Sequence, residues 1–486
     1  MARDTLSDWT DTARLASASL FDYLASFSMP TLRIGVTGLS RAGKTVFITA
    51  LVHALVGGGR LPVFRAAAEG RIARARIVEQ PDPNVARFAY EDHLATLTGP
   101  ERDWPQSTRQ ISQIRIEIDY ERPAGWFGSG KGQLALDIVD YPGEWLLDLP
   151  LLDVDYAAWS RQTLASIGEG ARAVPFAPFR ERLVGLDAGA PADEMVARAL
   201  AEAFTAGLVT CRNAEIGLSS LPPGRFLMPG DLAGSPALTF APLPPDTAAE
   251  QRPTSLHAMM ARRFDFYKLH VVKPFFREHF ARLDRQVVLV DVLSAINAGR
   301  EALGDLELAL TDVLAAYRVG QNSILSTLFA PRIDKVLFAA TKADHIHHAN
   351  HDRLEAMLRL ITRRALARAQ GAGSALDVAA LAAVRATREV EVKRKGETLD
   401  CIAGIPIKGE RLGADVFDGV REAALYPGDL PDNPAVLFDP ARPLDPIRFL
   451  RFRPPVPQIA REGGLAPLAH IRLDAVLEFL LGDKLN

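Results

Sequence analysis

The chain has 486 residues, of which 48% are hydrophobic, so it can bury a large core and is long enough for two or three domains. Its 56 basic and 59 acidic residues give a formal net charge of −3, which excludes the strongly basic surface typical of proteins that bind nucleic acid. Two cysteines without CxxC spacing, Cys211 and Cys401, exclude a disulfide framework and a zinc knot and favour a reducing compartment.

The first 31 residues predict a helical segment rather than a targeting signal. Their apolar patch, from Leu15 to Phe27, is preceded by Arg14 and interrupted by Asp22, and no small-residue cleavage pattern follows it. No run of about 18 apolar residues free of charge occurs, so no membrane-spanning helix is predicted. We expect a cytoplasmic protein, with peripheral membrane contact as the alternative.

A phosphate-binding loop is predicted after the first strand. The apolar segment Leu32–Thr37 runs into residues 38–45, which match GxxxxGK[ST], and a buried helix is predicted from Val46 to Val56. Glycines in such a loop let backbone N–H groups turn toward phosphate oxygens at a helix N-terminus. Lys44 is expected to neutralise the β- and γ-phosphates, and the Thr45 hydroxyl to bind Mg²⁺. The predicted nucleotide contacts here are Gly38, Leu39, Ser40, Arg41, Ala42, Gly43, Lys44, Thr45 and Val46.

An antiparallel hairpin is predicted next, because apolar residues alternate with polar ones from Ile114 to Tyr120 and again from Leu134 to Ile138. The second strand ends in Asp140-Tyr-Pro-Gly143, where the aspartate would hold Mg²⁺ through water and the glycine N–H would meet the γ-phosphate. An ordinary turn is the alternative, since Asp, Pro and Gly are turn residues.

Two further features of the phosphate end are predicted on either side of this hairpin. Thr108 is the candidate for a switch threonine that binds Mg²⁺ only beside a γ-phosphate, and Ser107 is its nearest competitor. Glu144 stands where many GTPases carry a water-orienting glutamine, so catalysis is expected to be slow or organised differently. A carboxylate beside phosphates requires Mg²⁺ or an arginine to screen it.

From 145 to 285 the pattern changes to long helical stretches, Ala192–Leu208 and Ser255–Leu283, around a Pro-rich loop at 221–253. This predicts a mostly helical inserted domain. Arg262, Arg263 and Arg277 are candidates for an arginine finger if that domain folds over the nucleotide.

After the insertion, apolar runs at 287–293 and 335–341 predict parallel strands covered on both faces, with a helix from Arg300 to Tyr317 between them. A basic helix at 353–370, a last core strand at Leu381–Thr387 and a hairpin at 389–403 follow. The predicted fold is therefore α/β: a P-loop NTPase with a GTPase-like mixed sheet, an antiparallel hairpin on mainly parallel strands. The predicted units are a helical segment (1–31), a P-loop GTPase domain in two parts (32–144 and 286–400), the insertion (145–285) and a C-terminal extension packing on the core (401–486).

A guanine-specificity motif is predicted at Thr341-Lys-Ala-Asp344, directly after a strand. Asp344 would accept the N1–H and N2–H₂ of guanine, Lys342 would lie along the base, and adenine offers no matching pair of donors. Ala386 and Thr387 are the candidates for a loop near guanine O6. The histidines at 345, 347, 348 and 351 are interpreted as part of a solvated loop rather than as metal ligands.

The motif order resembles the GTPase branch of the P-loop NTPases. More narrowly, the segments 104–108, 140–150 and 271–293 are similar to the bacterial YcjX-like family over nearly the whole chain. The resemblance implies a cytosolic, GTPase-like bacterial protein linked to stress responses and to a neighbouring membrane protein.

The expected function is Mg²⁺-dependent binding and hydrolysis of GTP, with a conformation that follows the bound GTP or GDP. Lys44, Thr108, Gly143 and Glu144 are the expected catalytic residues, and Thr45, Thr108 and Asp140 the expected metal ligands. A protein partner, for example a membrane protein, is expected, and no nucleic acid. The alternatives are an ATPase or phosphotransferase with the same loop, and a nucleotide-gated interaction module with little hydrolysis.

Overall fold

The structure is a computed structural model that describes residues 29–486 with interruptions. The residues outside the description are 1–28, 40, 107–109, 124–129, 214–215, 246–251, 317–332, 371–374, 395, 443–446, 448 and 460–463. Most of the predicted N-terminal segment lies outside the described residues, as do Ser40, Ser107 and Thr108.

A mixed β-sheet forms the centre of the molecule. Its strands are β1 Thr31–Gly38, β2 Ile72–Val78, β3 Ala86–Arg87, β4 Ser112–Glu121, β5 Lys131–Asp140, β6 Arg285–Val290, β7 Lys335–Ala340 and β8 Ala375–Ala380. The eight strands follow the order β2-β4-β5-β1-β6-β7-β8, with β3 beside β4. Strands β5, β1, β6, β7 and β8 are parallel, whereas β4 is antiparallel to β5 and to β2. The predicted hairpin on a mainly parallel sheet is confirmed.

Helices connect and cover these strands. The α-helices are α1 Lys44–Val56, α2 Arg65–Ala68, α3 Tyr90–Thr98, α4 Tyr156–Ser166, α5 Ala177–Leu183, α6 Glu194–Arg212, α7 Gly224–Leu227, α8 Leu256–Tyr267, α9 Lys273–Glu278, α10 Val292–Ala298, α11 Arg300–Ala316, α12 His351–Gln370 and α13 Leu473–Leu481. Shorter 3₁₀ segments occur at Gly143–Asp153, Gly170–Arg172, Gly230–Leu232, Pro236–Leu238, Phe280–Arg282, Ala343–His345, His348–Asn350 and Pro434–Phe438, and a π-helical turn at Lys268–Val272 joins α8 to α9. Among the described residues, no helix has the length and apolar character that crossing a bilayer demands.

The predicted last core strand at Leu381–Thr387 is wrong, because the strand that pairs with β7 is β8, at Ala375–Ala380. Residues Leu381, Ala382 and Val384 are buried, yet they leave the sheet at its carboxyl edge and form a loop. A buried loop and a buried strand carry the same apolar signal, and β8 itself is mostly alanine, so periodicity could not separate the two.

Two apolar cores lie on the two faces of the sheet. On one face, α1 packs with the C-terminal helix α13, whose Leu473, Leu477 and Leu480 are at most 1% exposed. On the other face, α11 and α12 share one continuous core with the helical insertion, which includes Phe204 and Phe264. The burial of both faces explains why the parallel strands are nearly continuous apolar runs.

The insertion is joined to the sheet directly after β5. Residues Gly143–Asp153 form a 3₁₀ segment rather than a solvent-exposed turn, and Trp145, Leu146 and Leu149 on it are buried in the core shared with the insertion. The polypeptide that follows the Asp-Tyr-Pro-Gly motif is thus part of the insertion's own packing.

Two features are found in the chain after β8. A small antiparallel sheet contains β9 Arg388–Arg394, β10 Glu397–Gly404 and β13 Ala423–Leu425, and β11 Arg411–Leu412 pairs with β12 Asp415–Val416. The hairpin predicted at 389–403 is therefore confirmed. The chain end returns to the core, where the fully buried guanidinium of Arg285 lies 2.6 Å from Asp483.

Candidate functional site

The phosphate loop connects β1 to α1 at the carboxyl edge of the sheet, where open α/β sheets bind ligands. Gly43, just before α1, has φ 78° and Arg41 has φ 64°, so the loop turns through left-handed backbone that favours glycine. The loop closes on itself through a hydrogen bond of 3.1 Å from the Ala42 N–H to the Leu39 carbonyl. The start of α1 therefore presents helix-end N–H groups to this edge.

Lys44 is the first residue of α1, and its side chain reaches the end of β5. Its Nζ is 2.5 Å from Asp140 Oδ1 and donates to the Tyr141 carbonyl at 3.0 Å, and its side chain is 11% exposed. The Lys44 ammonium is therefore held by the Asp140 carboxylate and the Tyr141 carbonyl. Both are partners that a phosphate chain can replace or share.

Asp140 and Thr45 meet the requirements for an oxygen-ligand cation site. Asp140 is 1% exposed, and its charge is balanced by the Lys44 ammonium at Oδ1, while among the described residues its Oδ2 accepts no hydrogen bond. Thr45 is also buried, with its hydroxyl 3.4 Å from the Gln106 carbonyl. Carboxylate and hydroxyl oxygens are ligands that Mg²⁺ prefers, so these residues fit the ion.

Gly143 lies against the phosphate loop. A Cβ at this position would be 2.4 Å from the Gly38 carbonyl oxygen, so only glycine allows the two turns to approach this closely. The predicted role of the Gly143 N–H stays a prediction.

Glu144 is 6% exposed and forms an ion pair of 3.0 Å from its Oε1 to the guanidinium of Arg212. Arg212 is the last residue of α6 in the insertion, so a helical insertion residue reaches the phosphate end of the site. Sequence reasoning missed it, because an arginine at a helix end has no motif.

The three arginines considered from the sequence do not line the cavity that contains the phosphate loop. Arg262 donates to the Pro253 carbonyl at 2.7 Å, Arg263 pairs with Glu194, and Arg277 lies on α9. Arg212 is instead the insertion arginine that lines the phosphate end of that cavity.

One cavity of about 510 Å³ extends from the phosphate loop to the Thr341–Asp344 segment. Its phosphate end is lined by Gly38, Leu39, Arg41, Ala42, Gly43, Lys44, Thr45, Val46, Phe47, Asp103, Trp104, Pro105, Pro142, Glu144, Arg212 and Met228. Its other end is lined by Thr341, Lys342, Asp344, His345, Leu381, Ala382, Ala383, Val384, Ile407, Arg451 and Phe452. The described residues of two predicted motifs, far apart in sequence, thus face one space.

The Thr341–Asp344 segment is held rigidly. Lys342 has φ 62° and its ammonium pairs with Asp291, which caps α10 through the Ser294 N–H at 3.1 Å. Asp344 is 5% exposed, and its Oδ2 accepts the Ala386 N–H at 2.8 Å. One carboxylate oxygen is therefore fixed by backbone, which orients the other.

Ala386 and Thr387 lie beside Asp344 and outside the cavity lining. The Thr387 hydroxyl donates to the Asp344 carbonyl, so both residues position the aspartate. The loop residues Leu381 to Val384 line the cavity instead. Direct contact of Ala386 or Thr387 with a base stays a prediction.

The C-terminal extension closes the far end of the cavity. Phe452 and Ile407 are lining residues, and the Trp104 indole N–H donates to the Phe452 carbonyl at 2.7 Å. The loop that leads toward Thr108 is therefore tied to the extension.

The histidines after Asp344 do not form one solvated group. His351 is buried and bonds the Ala343 carbonyl at 3.0 Å, and burial lowers the pKa of His345. His347 is half-buried, and the exposed His348 bonds Glu389 at 2.9 Å. The loop interpretation holds only for part of the cluster.

A buried polar cluster connects the 3₁₀ segment after Gly143 to the insertion. Asp148 accepts the Gly224 N–H at 2.7 Å and the Tyr267 hydroxyl at 2.6 Å, and burial raises its pKa to about 6. The Arg225 guanidinium lies 3.2 Å from the centre of the Trp145 ring. Any displacement of this segment must therefore move the insertion with it.

Comparison with known proteins gives the family. The model of the YcjX-like family, DUF463, matches residues 32–485. A relative from Escherichia coli K12, named Ras-like GTPase YcjX, is 41% identical over 467 residues, covering 94% of this chain and 96% of that protein. A relative of the same name from Shewanella oneidensis is 34% identical over 476 residues, covering 94% of this chain and 95% of that protein. The chain belongs to the YcjX-like family.

Proposed function

We propose that this member of the YcjX-like family binds GTP and hydrolyses it to GDP and inorganic phosphate. The observation that carries the proposal is the single cavity with the Gly38–Thr45 loop at one end and the buried Asp344 at the other. A cavity of about 510 Å³ is within the range that accommodates a ligand of this size. The names of the two relatives, Ras-like GTPase, support the same nucleotide.

Guanine selectivity rests on the chemistry of Asp344. A carboxylate accepts two donors side by side, which guanine offers at N1 and N2 and adenine does not. The Ala386 N–H holds Oδ2 of this carboxylate at 2.8 Å, so the acceptor is preorganised before a base arrives.

At the phosphate end, Lys44 and the N–H groups of the loop supply positive potential. Thr45 and Asp140 would hold Mg²⁺, which supplies electrostatic stabilisation of the β- and γ-phosphate oxygens when bound. Thr108 remains the predicted switch threonine in a segment outside the described residues.

A nucleotide-dependent switch is part of the proposal. The Gly143–Asp153 segment touches the phosphate loop at Gly38 and is buried in the core of the insertion. A displacement of Gly143 on loss of the γ-phosphate would therefore also displace Asp148 and Trp145. Hydrogen exchange of residues 145–285 should differ between GDP and a non-hydrolysable GTP analogue, and identical protection would refute the coupling.

The decisive test compares nucleotides on the purified chain. GTP and GDP should compete for the site with Mg²⁺ present, ATP should compete much more weakly, and phosphate should be released over multiple turnovers. Lys44→Ala should weaken GTP by about 100-fold, because it removes a charged hydrogen-bond donor to the phosphates. Arg198→Ala, an exposed residue of α6, is the matched control and should leave affinity unchanged.

Two alternatives are separated by the same data. Equal competition by ATP and GTP would support an ATPase or phosphotransferase and remove the role given to Asp344. Tight GTP binding without phosphate release would support an interaction module, an alternative favoured by Glu144 in the place of a glutamine. The proposed link to a stress response and to a membrane protein rests on family resemblance.

A further inference from the structure

The Arg212–Glu144 pair is an unusual feature of the phosphate end of the cavity. Glu144 comes directly after Gly143, and Gly143 packs against the carbonyl of Gly38 in the phosphate loop. The guanidinium that pairs with Glu144 at 3.0 Å is therefore held next to that loop, and both side chains line the cavity.

One contact of Arg212 inside the cavity is a weak one. Its Nη1 lies 3.3 Å from the sulfur of Met228, and a thioether is a weak acceptor. Guanidinium has five N–H donors in a planar fork that matches phosphate oxygens. A phosphate oxygen would be a much better partner for Nη1 than this sulfur is, while the other amino group keeps its contact with Glu144.

The other arginines of this cavity are less well placed. Arg451 belongs to the far end and is bound by Glu410, with 2.6 Å between Nη2 and Oε1. Arg41 also lines the phosphate end, but it is exposed, so water screens its charge more strongly. Arg212, with 24% of its side chain exposed, is partly desolvated, which strengthens its interaction with a charge that develops beside it.

We propose that Arg212 is a catalytic arginine that the insertion supplies in the same chain, and that Glu144 positions it. This inference rests on the proposed hydrolysis of GTP. In that reaction a water oxygen bonds to the γ-phosphorus as the bond from that phosphorus to the β-phosphate oxygen breaks. The electron pair of the broken bond stays on GDP, and the water proton leaves with inorganic phosphate or to solvent. Arg212 neutralises the negative charge that builds on the β–γ bridging and γ-oxygens.

The pairing with Arg212 also offsets the electrostatic repulsion between Glu144 and a nucleotide. A carboxylate beside phosphates repels them unless a cation is paired with it. Because Arg212 provides that cation at 3.0 Å, the carboxylate of Glu144 can direct the guanidinium toward a nucleotide. Hydrolysis then depends on the position of α6, so whatever displaces the insertion changes the rate.

The test measures the rate of GTP hydrolysis separately from the affinity for nucleotides. Arg212→Ala should lower the single-turnover rate of GTP hydrolysis by at least about 100-fold, since arginines in this role contribute 10³ or more. Affinities for GTP and GDP should change only a few-fold, and the extra affinity for GDP with aluminium fluoride, which mimics the transferring phosphoryl group, should be lost. Arg212→Lys should recover part of the rate, because it keeps the charge and loses the planar fork. Arg198→Ala, on the same helix, should behave as wild type.

Each outcome bears on a different claim. Equal rates and equal aluminium fluoride affinities for wild type and Arg212→Ala overturn the inference and leave GTP binding intact. A loss of GTP affinity as large as the loss of rate also overturns it, because the arginine would then serve the ground state or the fold. Failure of the wild type to bind GTP refutes the proposed function itself.

Discussion

Replacement of Asp344 by asparagine should change which purine the protein selects. In the wild type, Oδ2 accepts the Ala386 N–H at 2.8 Å, which leaves the other carboxylate oxygen for the base. In the variant, the same backbone N–H requires the amide oxygen, so the amide NH₂ turns toward the cavity. A donor then faces the donors at N1 and N2 of guanine.

The size of the effect follows from hydrogen bonds to a charged group. Each contributes about 1.5–3 kcal/mol, and the variant both loses the carboxylate and creates a conflict between donors, so a loss of about 3 kcal/mol is expected. That loss corresponds to about 100-fold in Kd for GTP. Xanthosine triphosphate, which carries a carbonyl where guanine has its amino group, should gain affinity.

The assay is equilibrium competition of GTP, xanthosine triphosphate and ATP against a fluorescent guanine nucleotide. Asp352→Asn is a suitable control, because Asp352 is 90% exposed and pairs with Arg472 outside the cavity. Unchanged GTP affinity in Asp344→Asn, with no gain for the xanthine nucleotide, would show that this carboxylate does not read the base.

Two further predictions concern the connection to the insertion. In Gly224→Ala, the new Cβ would lie 1.9 Å from the Glu144 carbonyl oxygen. Because misplacement of a catalytic group lowers the rate, GTP hydrolysis should fall by about 100-fold, with little change in GTP affinity. Gly304→Ala, where a Cβ meets no atom within 4 Å, is the control, and wild-type turnover in Gly224→Ala would contradict the geometry. Asp148→Asn should remove a pH dependence of stability. The pKa of Asp148 is raised from 3.8 to about 6 in the folded protein, so its stabilising contribution is present below pH 3.8 and is lost as pH rises through about 6. The melting temperature of wild type minus that of Asp148→Asn should therefore fall between pH 4 and pH 7, by the equivalent of about 3 kcal/mol, and a constant difference would show that burial does not raise this pKa.

The fold could be predicted to a large extent because its signals are local. The hairpin of β4 and β5 showed alternation, and the parallel strands β6 and β7 showed apolar runs covered on both faces. The last strand was misplaced because Leu381–Val384 is a buried loop, and burial alone does not reveal whether a segment pairs with a neighbour.

Some parts of the candidate site were predicted from the sequence and others were not, for a similar reason. The phosphate loop and the Thr341–Asp344 segment are short runs at strand ends, and both line the cavity. Ala386 and Thr387 were assigned to the base, yet the structure gives them contacts to Asp344 itself. Whether a residue touches a ligand or supports the residue that does so is decided by a few ångströms, which spacing along the chain does not specify.

The sequence by itself determined the class of fold and the chemistry of the phosphate loop, since the donors of that loop are consecutive backbone groups between Gly38 and Thr45. Only the tertiary structure decided that Arg212 pairs with Glu144 and that Phe452 closes the far end of the cavity. Such contacts join segments that are distant along the chain, and they depend on how α6 and the C-terminal extension pack on the sheet. Packing of this kind is a collective property of many buried side chains, so no single motif records it.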